Sequence, residues 1–129
     1  IIRTMTGFGI KNLAIIGGGA DILDPKAVRA SMGAIFHIKY EYYDDIENYK
    51  EKFNDHKIYT FMLDGAVELD TLQKDKDKPF TLIFGNEATG LEPKYKDAGQ
   101  SVVIRHSNEI DSLNLSIAVG ISLYEVTKK

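Results

Sequence analysis

Two kinds of apolar pattern alternate along this chain. Short continuous apolar runs closed by glycine or aspartate suit buried strands. They are Leu13-Ala14-Ile15-Ile16 before Gly17-Gly18-Gly19, Ile35-Phe36-His37-Ile38, Ile58 to Leu63 before Asp64-Gly65, Phe80 to Phe84 before Gly85, and Val102-Val103-Ile104. Between them, apolar residues recur at helical spacing. Ile1 to Phe8 reads as the end of a helix punctuated by Gly7 and Gly9. Asp24-Pro25 is an N-cap followed by proline at the first helical position, opening a helix through Ala27, Val28, Ser31 and Met32 that Gly33 ends. Glu41 to Asp55 has helical spacing at Tyr42, Ile46, Tyr49 and Phe53, and Leu91 to Ala98 is a short helix or turn. Ser112 to Thr127 is a long C-terminal helix, apolar at Leu113, Ile117, Ile121 and Leu123-Tyr124.

Strands alternating with helices predict an α/β domain whose mainly parallel sheet is flanked by helices on both faces. No internal repeat or interdomain linker divides the chain, and its 129 residues are expected to form one domain. Lys74 to Lys78, an alternation of lysine and aspartate, reads as a solvated loop. No apolar run approaches the roughly 20 residues that a membrane helix needs. The absence of cysteine excludes disulfides and thiolate metal sites, and fits a cytoplasmic location. The chain opens at Ile1 without an initiator methionine and inside a helix-compatible segment, so we expect a piece to precede it. The formal net charge of −3 counts against a free-standing nucleic-acid binder, because phosphate neutralisation supplies most of such a protein's affinity. A local basic patch drawn from Lys11, Lys94, Lys96 and Arg105 would answer that objection, although solvated surface charge is the commoner meaning of such residues.

Ligands of open parallel sheets sit beyond the carboxyl ends of the strands. The glycine triplet at Gly17 invites a dinucleotide fingerprint, but the position needed for its third glycine or alanine is Ile22, and an ordinary tight turn is the better reading. Phe84-Gly85-Asn86-Glu87-Ala88-Thr89-Gly90-Leu91 is more specific: two glycines bracket an amide, a carboxylate and a hydroxyl directly after a strand. Taken alone it is about equally well read as a polar turn with a helix cap. In Asp111-Ser112-Leu113-Asn114-Leu115-Ser116, Asp111 or Ser112 is expected to cap the helix. Capping leaves Asn114 and Ser116 unexplained inside the helix, where both are mediocre helix formers.

These segments together resemble the SpoU (TrmH-like) family of SPOUT RNA 2′-O-ribose methyltransferases. The family's second motif is similar to residues Phe84 through Leu91, and its third to Ser112-Leu113-Asn114-Leu115-Ser116-Ile117-Ala118 followed by Leu123-Tyr124-Glu125. Ile1-Ile2-Arg3-Thr4 and Phe8-Gly9-Ile10 match what would be left of the first motif, whose asparagine would precede Ile1. Pro25 to His37 and Leu63-Asp64-Gly65-Ala66 are similar as well, so the resemblance covers essentially the whole chain. Relatives often carry proline and methionine after the strand ending at Ile104, where this chain has Arg105 and His106.

The resemblance implies a six-stranded parallel sheet with one strand before Ile1, a deep trefoil knot from about Phe80 onward, and S-adenosyl-L-methionine bound in that knot. It implies a homodimer acting on tRNA or rRNA. Arg3 would act from the opposite protomer at the ribose 2′-hydroxyl, positioning the phosphate and stabilising the nascent alkoxide rather than serving as a base. Glu87, Ser112 and Asn114 would complete the catalytic centre. Leu63, Asp64, Gly65, Phe84, Gly85, Asn86, Glu87, Ile104, His106, Ser112 and Leu113 would hold the cofactor, largely through main chain. No metal is implied: His37, His56 and His106 are scattered, and His37 reads as a core-edge strand residue. His106 alone falls near the pocket, with no direct catalytic role expected. Phe8, Leu113, Ile117, Ile121 and Tyr124 are expected to share the dimer's apolar face. Two other readings compete: a catalytically weak SPOUT-fold RNA-binding or assembly factor that still binds the cofactor, motivated by Arg105 and His106, and a nucleotide-binding Rossmann-like enzyme, motivated by Gly17 to Asp21.

Overall fold

A computed structural model of the protein describes residues 1–17, 29, 31–72, 77–86, 89–107, 109–110 and 113–128. The chain divides into two units, Ile1–Asn54 and Asp55–Lys129.

In the first unit, helix α1 (Ile2–Gly7) buries Met5 and packs against a 3-10 turn at Ala34–His37. Strand β1 (Asn12–Ile16) pairs in parallel with β2 (Lys39–Tyr43), Asn12 opposite Lys39 and Ile16 opposite Tyr43. Helix α2 (Ile46–Lys52) follows, capped by Asp45, whose carboxylate accepts the Asn48 N–H at 2.8 Å. Its buried face, Ile46 and Tyr49, belongs to an aromatic cluster: Tyr49 meets Tyr43 edge-on at 5.3 Å and lies 4.7 Å from Phe53. On the solvent side, Lys52 Nζ donates to Glu41 at 3.0 Å.

Two expectations fail here. Ile35 to Ile38 is not a strand. Gly33 adopts a left-handed φ of 85°, and the chain then makes one tight turn that buries Ala34 and Ile35 while exposing Phe36 and His37. His37 is therefore a surface residue, not a core-edge strand residue. The stretch read as one helix from Glu41 to Asp55 is split, its first part being strand β2. Helical spacing and strand alternation coincide over this short segment. Pairing with β1 decides between them, and it sets Glu41 and Tyr43 on one face, where the Tyr43 hydroxyl donates to Glu41 at 3.1 Å. The helix expected after Asp24 and the turn beyond Gly17 fall almost wholly outside the described residues.

In the second unit four parallel strands form a sheet in the order β4-β6-β3-β5. They are β3 (Lys57–Phe61), β4 (Val67–Glu68), β5 (Phe80–Ile83) and β6 (Gln100–Val103). Thr60 lies opposite both Ile83 and Ser101, Phe61 opposite Val102, and Glu68 opposite Val103. The short β4 was not foreseen, because a two-residue edge strand carries no periodicity to read. Tyr59, Leu69 and Val102 form one buried core cluster, with Phe61, Leu72, Phe80, Leu82 and Ile104 packed against it. A 3-10 turn at Pro93–Asp97 leads into β6. Helix α3 (Leu115–Thr127) buries Val119, Ser122 and Leu123, and packs against the 3-10 turn Leu69–Thr71. Parallel sheets flanked by helices are thus the architecture, as the alternation of patterns required.

Candidate functional site

Parallel pairing puts the carboxyl ends of β3, β5 and β6 on one edge of the sheet, and a cavity of about 390 Å³ opens there. That volume lies within the range of small-molecule and cofactor sites. Its walls come from the chain leaving β3 (Met62, Leu63, Asp64), β5 (Phe84, Gly85, Asn86) and β6 (Ile104, His106), with Leu113, Leu115 and Ala118 from the start of α3.

Glycine shapes two of these walls. A Cβ on Gly85 would stand 2.0 Å from the Gly90 carbonyl carbon and 2.2 Å from the Leu91 nitrogen, so only glycine lets the loop close on itself. The closure is completed by Asn86: its carbonyl accepts the Gly90 N–H at 3.0 Å, and its side-chain oxygen accepts the Thr89 N–H at 2.7 Å and the Thr89 hydroxyl at 3.0 Å. After β3, Gly65 presses against β6, where a Cβ would come within 2.3 Å of the Val102 carbonyl carbon. The Ala66 N–H there donates to Ser101 Oγ at 3.0 Å.

Charges at the rim are paired. Lys96 Nζ donates to Asp64 at 2.9 Å, and that hydrogen bond, followed by the lysine's charge, holds the Asp64 carboxyl below its ordinary range. Arg105 forks across Glu68, with Nε 3.1 Å from Oε1 and a second bond to Oε2, and lies 3.9 Å from Asp70. Lys94 lies 3.7 Å from Glu92. Three of the four cations considered for an RNA patch, Lys94, Lys96 and Arg105, are therefore ion-paired. Among the described residues no group of histidines and carboxylates could hold a metal ion, and no helix is long and apolar enough to cross a membrane.

The cavity brings together Leu63, Asp64, Phe84, Gly85, Asn86, Ile104, His106 and Leu113 from the expected cofactor set. Gly65 does not line it but packs behind the wall. Glu87 and Ser112 lie outside the described residues. Arg3 is on α1 in the other unit, with its side chain exposed. Asn114 is the N-cap of α3, its Oδ1 accepting the Ser116 N–H at 2.9 Å. Capping therefore does account for Asn114, contrary to expectation, because the helix starts at Leu115. Sequence reasoning did not name Phe61, Met62, Val102, Val103, Leu115 and Ala118 as lining residues, nor Thr89, Gly90 and Leu91 of the motif it had singled out. Leu115 and Ala118 were legible as an i, i+3 pair on the first turn of a helix that follows a candidate loop.

The comparisons with known proteins fit this geometry. The description of the SpoU rRNA methylase family matches residues 1–124. The 23S rRNA (uridine(2479)-2′-O)-methyltransferase of Streptomyces viridochromogenes is 28% identical over the whole chain, which covers 47% of that enzyme. The AdoMet-bound rRNA methyltransferase of Sinorhizobium meliloti superposes with a TM-score of 0.87 at 30% identity, over 97% of this chain and 48% of that one. The AdoMet complex of the SpoU methyltransferase AviRb from S. viridochromogenes superposes with a TM-score of 0.87 at 25% identity, over 98% of this chain and 50% of that one. This chain thus spans about half the length of the curated relatives it matches. With family-wide sequence agreement and the same fold around a cavity at the strand ends, the chain belongs to the SpoU rRNA methylase family of methyltransferases.

Proposed function

We propose that this chain is the catalytic domain of an S-adenosylmethionine-dependent methyltransferase that modifies a ribose 2′-hydroxyl of tRNA or rRNA, and that it acts as a homodimer. The observation that carries this reading is the cavity at the carboxyl ends of β3, β5 and β6, walled by the start of α3. Its residues suit the cofactor. The walls are mainly apolar, the tight Gly85 loop brings main chain close to a ligand, and the neighbouring cations are tied to carboxylates rather than facing a sulfonium. Two AdoMet-bound neighbours and a relative named for 2′-O methylation support the assignment. The reading includes the deep trefoil knot expected from about Phe80 onward.

Bound S-adenosylmethionine would supply an electrophilic methyl group on sulfur. The protein's part is to bring the ribose oxygen into line and to stabilise charge as it develops there. Arg3 holds the adjacent RNA phosphate from the partner protomer and stabilises the alkoxide. Ser112 holds the substrate, while Glu87 and Asn114 order the loops around it, Asn114 by capping α3. The exposed stripe Ile117, Ile121 and Tyr124 on α3 is covered by the second protomer.

Calorimetric titration of S-adenosylmethionine, with Leu113→Arg as the blocked control, tests the pocket. Transfer of labelled methyl to bulk tRNA and rRNA, digested to nucleosides, tests the reaction. Micromolar binding lost in the control, with label in 2′-O-methyl nucleosides, is expected. Label in a base would overturn the ribose assignment, and no binding by the folded protein would overturn the cofactor.

A further inference from the structure

Arg105 and His106 pose a physical problem beside a site for a cationic ligand. A free guanidinium at the wall would repel a sulfonium. The structure resolves this by direction: Ile104 and His106 line the cavity, whereas Arg105 between them turns out to Glu68. Glu68 closes β4, pairs in register with Val103 of β6, and precedes the buried Leu69. The fork therefore ties the chain leaving β6 back to its own neighbouring strand. An exposed ion pair contributes little to stability by itself, but a two-point guanidinium–carboxylate fork fixes orientation. On the other side of the same backbone, His106 Nδ1 lies 2.9 Å from the Ile104 carbonyl oxygen. A carbonyl oxygen only accepts, so Nδ1 carries the proton and, in the neutral ring, Nε2 carries the lone pair. Among the described residues Nε2 has no partner.

We propose that Arg105 is a positioning residue: clamped on Glu68, it fixes the wall at residues 104–106 so that His106 offers Nε2 as an acceptor to an N–H or O–H of the bound cofactor. The inference rests on the reading that the cavity holds S-adenosylmethionine. The donors such an acceptor would meet are the adenine amine, the ribose hydroxyls or the α-ammonium group. Clamp and ring act in series, so their effects on binding are not additive.

The full protein is titrated calorimetrically with S-adenosylhomocysteine, alongside Arg105→Glu, Glu68→Arg, the double swap, and His106→Ala. Each single variant is expected to weaken binding about 3- to 10-fold, the worth of one hydrogen bond. The swap should restore most of the loss, and Arg105→Glu should add little on a His106→Ala background. Long-range ¹H–¹⁵N spectra of the ligand-free protein at alkaline pH should show His106 with its proton on Nδ1, and a mixed tautomer in the gentler Glu68→Gln variant. Unchanged affinity in folded single variants, or a proton on Nε2, would overturn the proposal. Absence of binding by the unsubstituted protein would count against the cofactor reading, while the tautomer and its dependence on Glu68 would still decide the clamp.

Discussion

The rings of Phe61 and Phe84 stack with their centroids 4.5 Å apart and their planes 12° from parallel, joining the end of β3 to the residue after β5 at the cavity wall. The contact links two strands that already pair, so its contribution is separable from sheet formation. Denaturant unfolding of Phe61→Leu, Phe84→Leu and the double variant should give a coupling of about 0.5–1.5 kcal/mol. Purely additive losses would show that the rings only fill space.

Gly85→Ala should be among the most damaging small substitutions in the chain. The added methyl group would lie 2.0 Å from the Gly90 carbonyl carbon, where only backbone can yield. We expect a stability loss of about 1–3 kcal/mol, with cofactor binding lost through displacement of the 85–91 loop. Gly7→Ala at the end of α1 is the control. Among the described residues nothing lies within 4 Å of the added atom there, and alanine should be neutral or stabilising by up to about 1 kcal/mol. Similar thermal shifts for both variants would contradict this.

Asn114 caps α3 through its side-chain oxygen. Asn114→Ala should therefore cost about 0.5–2 kcal/mol in thermal or chemical unfolding. Asn114→Asp keeps an accepting oxygen and should retain stability. A fall in methyl transfer by the aspartate variant at unchanged stability would place the amide in the reaction; full activity would confine Asn114 to capping.

The Asp64 carboxyl titrates below its ordinary 3.8, first through the hydrogen bond from Lys96 and then through its charge. A carboxyl whose folded value is depressed adds stability above its unfolded value and loses that contribution as pH falls through the folded one. The salt bridge should persist at neutral pH and disappear only in acid below 3.8. A carbon-detected NMR titration should show this midpoint, and Lys96→Met should move it up. Both groups are well exposed, so thermal stability should change little.

Ile117, Ile121 and Tyr124 repeat at i, i+4 and i+7 and stay exposed, opposite the buried Val119 and Leu123. If a second protomer covers them, Ile117→Lys with Tyr124→Lys should halve the mass measured by light scattering. A wild-type monomer at micromolar concentration would remove the basis for Arg3 acting in trans.

The α/β class, four of the strands and the C-terminal helix were legible in the sequence alone, because short apolar runs closed by glycine or aspartate and a long 3.6-residue period have few alternative readings. The motif loops after β5 and before α3 were legible for a related reason: glycine, amide and hydroxyl residues at strand ends have backbone roles that few other residues fill. Tertiary structure decided the rest. Glu41 to Tyr43 became strand rather than helix because β1 offered a partner. Ala34 and Ile35 turned inward because Gly33 could reverse the chain. Asn114 became a cap because the helix began at Leu115, three residues beyond Ser112. Arg105 turned away from the cavity because Glu68 stood opposite Val103 in a two-residue strand with no pattern of its own. Local periodicity records which face of an element is apolar; which neighbour meets a charged or polar side chain is fixed only when distant segments pair.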